Sequence, residues 1–521
     1  MRIWTVCMPA SKRKKNKMGK YDFLKSGTDI RGIAVEYEGK PVELTDEAVY
    51  DIAAAFAAFV GEKTGKSCEQ LRISVGHDSR ISADRIAAAV LKALSACGVH
   101  ALYFDLASTP AMFMSTVELG VDGAIQITAS HHPYYRNGLK FFTREGGAEG
   151  SDIVNILNAA DAKAYDDTKC GEVENYDFMP RYAEILRDTI KKGVNAADYE
   201  HPLKGKKIIV DAGNGVGGFY AGDVLAPLGA DVSGSLFLEP DGMFPNHIPN
   251  PENEEAMRCI CKATVDNHAD LGIIFDTDVD RGGAVDAGGE ELNKNNLLAI
   301  AAYIAAGGKK GVTIVTDSIT SDGFKEFIES DMGCHHYRFI RGYKNVINEA
   351  IRLNKEGIDT PLAGETAGHI AFRENFFLDD GAYLITKIVI EMMLLDKQGK
   401  TLNSLIENMK QPVEAAELRM DILEPDFKVY GQGVIDALEA YAAAHEDWVL
   451  APDSREGVRV NFKDADCDGW FVLRLSVHDP VLPLNVESNV AGGVKNIVKR
   501  IYTAVKDFDK LELSAFKKYI D

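Results

Sequence analysis

The sequence predicts an α/β protein of three similar modules followed by a smaller C-terminal α+β domain, and three observations carry that prediction. Apolar, β-branched runs of strand length alternate with Ala- and Leu-rich stretches of helical spacing such as DEAVYDIAAAFAAFV. LRISVGHDSR at 71, KKIIVDAGNGVGG at 206 and GVTIVTDSITSDG at 311 each read as strand, polar turn and helix start, a repeat of long period. Further along each module a second strand ends in a polar loop: AIQITASHHP, LGIIFDTDVDRGG and TPLAGETAGH. Ligands of α/β sheets bind at the carboxyl ends of strands, so these three loops mark where chemistry is expected. After about residue 411 the pattern changes to VRVNF, GWFVLRLSV and a terminal helical stretch. The expected division is a basic extension over 1–20, modules over 21–195, 196–290 and 291–411, and a last domain over 412–521.

The 521 residues are 46% hydrophobic and 26% charged, which excludes a disordered chain, a collagen and a disulfide-stapled miniprotein. A single core stops growing near ~250 to 300 residues, so several domains are required. With 58 basic and 79 acidic side chains the net charge is −21, and such a surface repels phosphate backbones. No nucleic-acid partner is expected, and an anionic substrate needs a local basic pocket. Residues 1 to 20 run against this trend, with seven basic side chains, no acidic one and no apolar signal-peptide stretch. They read as a solvated basic arm or an extension ahead of Met18 as the natural start; a nucleic-acid or membrane-surface arm is the alternative. The apolar run LLAIAAYIAA at 297–306 falls short of the ~20 residues that cross a bilayer, so no membrane partner is expected. Eight cysteines without a CxxC pair suit a reduced compartment, and the protein is expected to be cytoplasmic. The Cys259–Cys261 pair, in a helical stretch, reads as packing.

The first loop runs Thr128-Ala129-Ser130-His131-His132-Pro133, then Asn137-Gly138-Leu139-Lys140. Ser130 beside His131 lacks the G-x-S-x-G elbow of an acyl-transfer nucleophile. A hydroxyl with His and Lys nearby suits phosphoryl exchange, in which cations neutralise the transferred group and a base takes the proton; a polar turn stopped by Pro133 is the plainer reading. In the second loop Asp276, Asp278 and Asp280 alternate after the strand LGIIF, and alternation on an extended loop would turn three carboxylates to one side. Three adjacent anions require a cation, and hard oxygen ligands favour Mg²⁺ or Ca²⁺. The EF-hand pattern fails because Arg281 and Ala287 stand where Gly and Glu are needed. The third loop, Gly364-Glu365-Thr366-Ala367-Gly368-His369, offers a carboxylate for sugar hydroxyls and an imidazole, although a helix cap with an incidental histidine would look alike. In the last domain Arg474, Ser476 and His478 alternate on one strand, where a guanidinium beside a hydroxyl makes a phosphate clasp or, more plainly, an exposed strand face.

Together these segments resemble the α-D-phosphohexomutase family, most closely its phosphomannomutase/phosphoglucomutase members. The resemblance rests on SGTDIRG at 26–32, GHDSR at 76–80, TASHHP at 128–133, NGLK at 137–140, DAGNGVGG at 211–218, FDTDVDR at 275–281, GETAGH at 364–369 and RLSVHDP at 474–480. It implies a four-domain, heart-shaped protein with mixed sheets, each domain giving one loop to a central cleft. It implies a monomer or homodimer that interconverts hexose 1-phosphate and hexose 6-phosphate, of glucose or mannose, through a phosphoserine and a bound 1,6-bisphosphate. Ser130 matches the phosphoserine and completes a Mg²⁺ site with Asp276, Asp278 and Asp280. Lys140, Arg31 and His369 match proton-transfer candidates, with His131 beside the serine. Glu365 and Ala367 stand at the sugar-binding positions, Arg281 flanks the metal loop, Lys344 matches a substrate-facing lysine, and Arg474 and Ser476 match the phosphate clasp. The family usually has asparagine where His132 stands, a small hydroxyl residue where Ala367 stands, and threonine where His478 stands before Asp479. These departures bear on sugar and phosphate selectivity.

Two other readings remain open on residues alone. Phe275-Asp276-Thr277-Asp278-Val279 fits the strand-then-DxDxV nucleophile of an aspartyl-phosphate phosphatase of the haloacid-dehalogenase type, with Asp379-Asp380 as its later acidic pair. Gly213, Gly215 and Gly218 after KIIVDA fit a nucleotide-binding fingerprint.

Overall fold

The structure, a computed structural model, describes residues 19–476 and 479–520, so the basic segment up to residue 18 and His478 lie outside the described residues. In each of the first three modules the two strands of the repeat pair in parallel. Arg72–His77 lies beside Gly123–Ile127, Ile208–Asp211 beside Leu271–Phe275, and Thr313–Thr316 beside Leu362–Gly364. Parallel neighbours need a crossover, which the helices between them supply. The second strand then turns back as an antiparallel hairpin onto Arg136–Thr143, Gly282–Asp286 and Ile370–Phe372 respectively. The sheets are therefore mixed, with eight, three and five strands. Each loop singled out in the sequence is the connection of one such hairpin.

The helices follow from local chemistry. Asp46–Thr64 starts at Thr45, whose hydroxyl accepts from Ala48 N (3.2 Å), and stops at Gly65 in the left-handed conformation. Its alanine-rich length packs on Ala83–Ala96. Cys259 and Cys261 lie in Glu254–Asp266, where Cys261 packs against a small core of Ile260, Ile274 and Val285.

Burial divides the chain differently from the repeat. One core runs through all three modules, joining Tyr182 and Leu186 of Met179–Val194 to Val210, Tyr220 and Phe275 of the second module and to Leu298, Ile385 and Ile388 of the third. The last domain, an antiparallel sheet of five strands covered by Phe427–Ala443 and Gly493–Val505, has a core of its own around Val434, Phe471, Leu484 and Ile497.

Polar contacts hold this domain to the third module. The buried Arg459 donates to Asp322 Oδ1 (2.9 Å) and Ser318 O (3.1 Å) and stacks 3.6 Å from the Trp470 ring centroid. Arg338 donates to Asp322 (2.8 Å) and to Asp453 of the last domain (3.2 Å). Removing the shared carboxylate strands two buried guanidiniums, at roughly 2 kcal/mol. Asp322→Ala is therefore expected to lower the thermal midpoint and to raise amide exchange in Val458–Phe462 while the three-module core stays protected, as hydrogen-exchange mass spectrometry would show.

Candidate active site

Hairpin geometry brings the first two loops together. Ser130 sits at the carboxyl end of Gly123–Ile127, buried, with φ of 53° in the left-handed region that non-glycine residues rarely enter. Its hydroxyl donates to Asp276 Oδ2 (3.0 Å), lies 3.3 Å from His131 Nδ1, and accepts from Arg281 Nη2 (3.4 Å). Arg281 is itself buried. It anchors through Nε on Asp276 (3.3 Å), lies 3.5 Å from Glu252 through Nη1, and donates through Nη2 to His131 Nδ1 (2.6 Å). A guanidinium only donates, so His131 carries its proton on Nε2. Burial first, then Arg281, pull the His131 imidazole down to about 2. It is neutral here, and its Nδ1 accepts from Arg281 while the Ser130 proton goes to Asp276.

The three aspartates do converge, but not by the alternation of an extended loop. Residues 276–281 form a tight turn in which Val279, a β-branched residue, takes φ of 67°. The strain is held by burial of Val279 and by Gly381 N, which donates to its carbonyl (3.1 Å). One oxygen from each of Asp276, Asp278 and Asp280 lies within 4.8 Å of the others. Asp278 and Asp280 each give Oδ2 to Lys140, the former at 2.8 Å, and each keeps a buried Oδ1 with no hydrogen-bond partner among the described residues. Buried, unsatisfied carboxylate oxygens around one point fit a hard divalent cation. Thr109 steadies this loop by donating its backbone N–H to Asp278 O (2.9 Å) and its hydroxyl to Oδ2.

Burial opposes the charged form of Lys140, yet Asp278, Asp280 and Asp29 together hold its ammonium well above the usual lysine range. Lys140 thus keeps its charge and serves as a hydrogen-bond donor and a positive charge in this arrangement. Arg31 pairs with Asp29 (2.7 Å) on the strand Asp29–Ile33, which runs antiparallel to the strand carrying Lys140. That approach requires glycine at 138, where a Cβ would fall 2.2 Å from Ile30 O.

On the third loop Glu365 Oε1 accepts from Gly342 N (2.7 Å), and Ala367 is buried. Thr366, one residue earlier, carries the hydroxyl and donates to Asp317 Oδ2 (3.3 Å). His369 bonds through Nδ1 to Asp379 and stacks on the Tyr343 ring. Burial disfavours its charged form, but Asp379 and then Asp280 outweigh it and raise the imidazole to about 9. Lys344 reaches across to the first module, where it donates to Gly147 O (2.8 Å) and pairs with Glu149 (3.1 Å), lining a cavity with Lys140, Asp280 and Asp379.

In the clasp Arg474 Nε is buried without a partner among the described residues, and burial followed by Arg341 presses its pKa down. The neighbouring Arg341 lies 3.8 Å from Asp317 and donates its backbone N–H to Glu456 (3.0 Å), so two guanidiniums suited to a phosphate stand beside these carboxylates. Ser476 Oγ accepts from Asp479 N (3.3 Å) beside it.

Three participants were passed over in the sequence. Arg341 stands in the same RGYK run as Lys344, close enough to have drawn notice as a second cation. Asp379 entered only as part of an acidic pair. Arg80 lies in the GHDSR segment, whose sequence assigns it no task. The alternative readings fare poorly against the geometry. Asp380 caps the helix Gly381–Asp396 and accepts from Tyr182 (2.7 Å), far from a phosphatase role. At Gly215 a Cβ would meet Thr277 O at 2.5 Å, and at Gly218 it would meet Leu238 O at 2.3 Å. These glycines serve backbone packing in a place where a dinucleotide would need room.

Comparison with known proteins agrees with this arrangement. Family models described as phosphoglucomutase/phosphomannomutase, alpha/beta/alpha domains I, II and III, match residues 24–165, 186–289 and 293–412 in turn. A phosphoglucomutase of Neisseria gonorrhoeae is 28% identical over 485 residues, covering 92% of this chain and 95% of its own. A phosphomannomutase/phosphoglucomutase of Pseudomonas aeruginosa is 27% identical, covering 90% and 92%. Among solved structures, a phosphoglucomutase/phosphomannomutase family protein from Burkholderia thailandensis superposes with a TM-score of 0.77 at 25% identity, over 94% of this chain and 98% of that one. Among the described residues no helix is long and apolar enough to cross a membrane.

Proposed function

Because the chain belongs to the phosphoglucomutase/phosphomannomutase family of α-D-phosphohexomutases, we propose that it interconverts hexose 1- and 6-phosphates through phosphorylated Ser130 and a bound hexose 1,6-bisphosphate. The observation that carries this reading is the setting of Ser130: a buried hydroxyl held by a carboxylate of the acidic loop and by the guanidinium of Arg281. The bond from Ser130 Oγ to phosphorus breaks as a bond forms from phosphorus to the free sugar hydroxyl. The bisphosphate then turns end for end, and the other phosphoryl group returns to Ser130.

Each assigned residue has a task in this scheme. Asp276, Asp278 and Asp280 with Ser130 are the ligands of Mg²⁺, which when bound offsets charge on the transferring group. Arg281 and Arg31 add fixed positive charge on the same side. In each transfer the attacking hydroxyl gives its proton to the set formed by Lys140, Asp280, His369 and Asp379, and that set gives one to the oxygen leaving phosphorus, so Lys140 and His369 end protonated as they began. His131 keeps Arg281 aimed at Ser130. Glu365 and Thr366 receive the sugar, with Thr366 carrying the hydroxyl that Ala367 lacks, and Lys344 lies at the first-module edge of the cleft. Arg474, Ser476 and Arg341 hold the phosphate that stays. A separate core for the last domain suits a clasp that opens while the intermediate turns.

The test is kcat/KM for glucose 1-phosphate and for mannose 1-phosphate with catalytic glucose 1,6-bisphosphate present, combined with phosphopeptide mapping. Turnover with acid-stable phosphate on Ser130 is expected. Absence of turnover on both sugars, or phosphate trapped at Asp276, would overturn the assignment.

A further inference from the structure

The buried guanidinium of Arg80 meets the serine loop through backbone carbonyls, and all five of its N–H donors are used. Nε donates to Asp78 Oδ2 (3.1 Å). Nη1 donates to Pro133 O (2.8 Å) and Arg136 O (3.0 Å), and Nη2 to His132 O (2.6 Å) and Ser130 O. Four carbonyls from the loop 130–136 therefore converge on one side chain. An isolated loop would turn such carbonyls to water; only a planar fork with fixed donor directions gathers them inward.

The other face of Ser130 is held by the same element. Ser130 N donates to Thr128 Oγ1 (2.9 Å), and Thr128 Oγ1 donates to Asp78 Oδ2 (2.7 Å), the oxygen that also binds Arg80. Asp78 Oδ1 accepts from Arg80 N (3.0 Å). A closed circuit from Asp78 through Thr128 to the Ser130 amide, and from the Ser130 carbonyl through Arg80 back to Asp78, fixes both sides of a residue whose left-handed backbone is otherwise unfavourable.

The same segment, through Ser79 and Arg80, also touches the second module. Ser79 Oγ donates to Asn214 O (2.8 Å), and the Arg80 guanidinium lies 5.2 Å from the Phe244 ring centroid. Gly242 abuts so closely that a Cβ there would fall 2.3 Å from Ser79 O. The element that shapes the serine loop is thus seated on the module that carries the acidic loop.

We infer that Arg80, oriented by Asp78, is the positioning residue that holds Ser130 in its left-handed conformation and aims Oγ at Asp276. The inference rests on the mutase reading, because it gives this geometry a reacting serine to hold. It separates placing the nucleophile from binding the sugar: Arg80 touches neither Glu365 nor Arg474, so its loss should act on kcat and spare KM.

The experiment compares wild type with Arg80→Ala, Arg80→Lys and Asp78→Asn. Arg80→Ala is expected to lower kcat about 10²-fold, as misplacement of a reacting group by about an ångström does, with KM for hexose 1-phosphate changed less than about threefold. Millimolar guanidinium should restore part of the kcat of Arg80→Ala and do nothing for wild type. Arg80→Lys, a point charge without the fork, should stay near the alanine variant. Should Arg80→Ala not fold, as judged by circular dichroism, the isosteric Asp78→Asn must still show the kcat loss. A wild type without mutase activity overturns the functional reading itself. An active wild type beside variants with unaltered kcat, with equal losses in KM, or without guanidinium rescue overturns the role of Arg80 alone.

Discussion

Ser130→Ala is expected to lose mutase turnover by roughly 10⁴-fold or more, since it removes the one atom on which both half-reactions depend. The Oγ atom is the meeting point of Asp276, Arg281 and His131. No neighbouring oxygen takes over its position, for the Thr128 hydroxyl is committed to Asp78 and the Thr109 hydroxyl to Asp278. The fold should hold. The Asp78–Arg80 circuit binds the backbone of residue 130, and the substitution costs about one hydrogen bond, near 1 kcal/mol. A coupled assay reads the loss, thermal unfolding reads the intact fold, and mass spectrometry should find no phosphate on the 128–136 peptide. Retained turnover in this variant would end the phosphoserine mechanism.

The residues that were legible in the sequence are those whose meaning is local. Ser130 with His131, the alternating aspartates, and Glu365 with His369 each lie within six residues of one another on a hairpin loop, and the repeat showed that such loops share one end of their sheets. The mixed sheets followed from a parallel pair plus a hairpin in every module. What escaped depends on contacts between distant segments. Asp379 acquires its task only because the strand Leu378–Asp379 pairs with Ile370–Phe372 and brings it to His369, and Arg80 only through a carbonyl 50 residues away. The convergence of Asp276, Asp278 and Asp280 was anticipated for the wrong reason. Period-two alternation belongs to strands, whereas here a strained turn at Val279 brings the carboxylates together, a conformation that nothing in a valine announces. The continuous core of three modules was also hidden, since a repeat suggests separate bodies, whereas Met179–Val194 packs both on Tyr220–Leu225 of the second module and on Gly381–Asp396 of the third.

Removal of divalent metal is expected to lower turnover by about 10³-fold, the effect of several kcal/mol of charge stabilisation on the transferring phosphoryl group at roughly 1.4 kcal/mol per decade. Its effect on the fold should be small, and the reason lies in the charge balance of the site. Three buried carboxylates meet Lys140 and Arg281 directly, so the metal-free loop already has cations in contact. Full satisfaction is still missing, because Asp278 Oδ1 and Asp280 Oδ1 are buried without hydrogen-bond partners among the described residues. A ligand that satisfies those oxygens binds the folded state alone, and by mass action it must raise the thermal midpoint as its concentration rises. Adding Mg²⁺ to chelator-treated protein should therefore raise that midpoint and restore turnover over the same concentration range. Asp280→Asn should flatten both responses together, since it removes one anionic ligand and half of the Lys140 pairing. A midpoint indifferent to Mg²⁺ in wild type, or a variant whose midpoint still rises with it, would remove the acidic loop from the metal site.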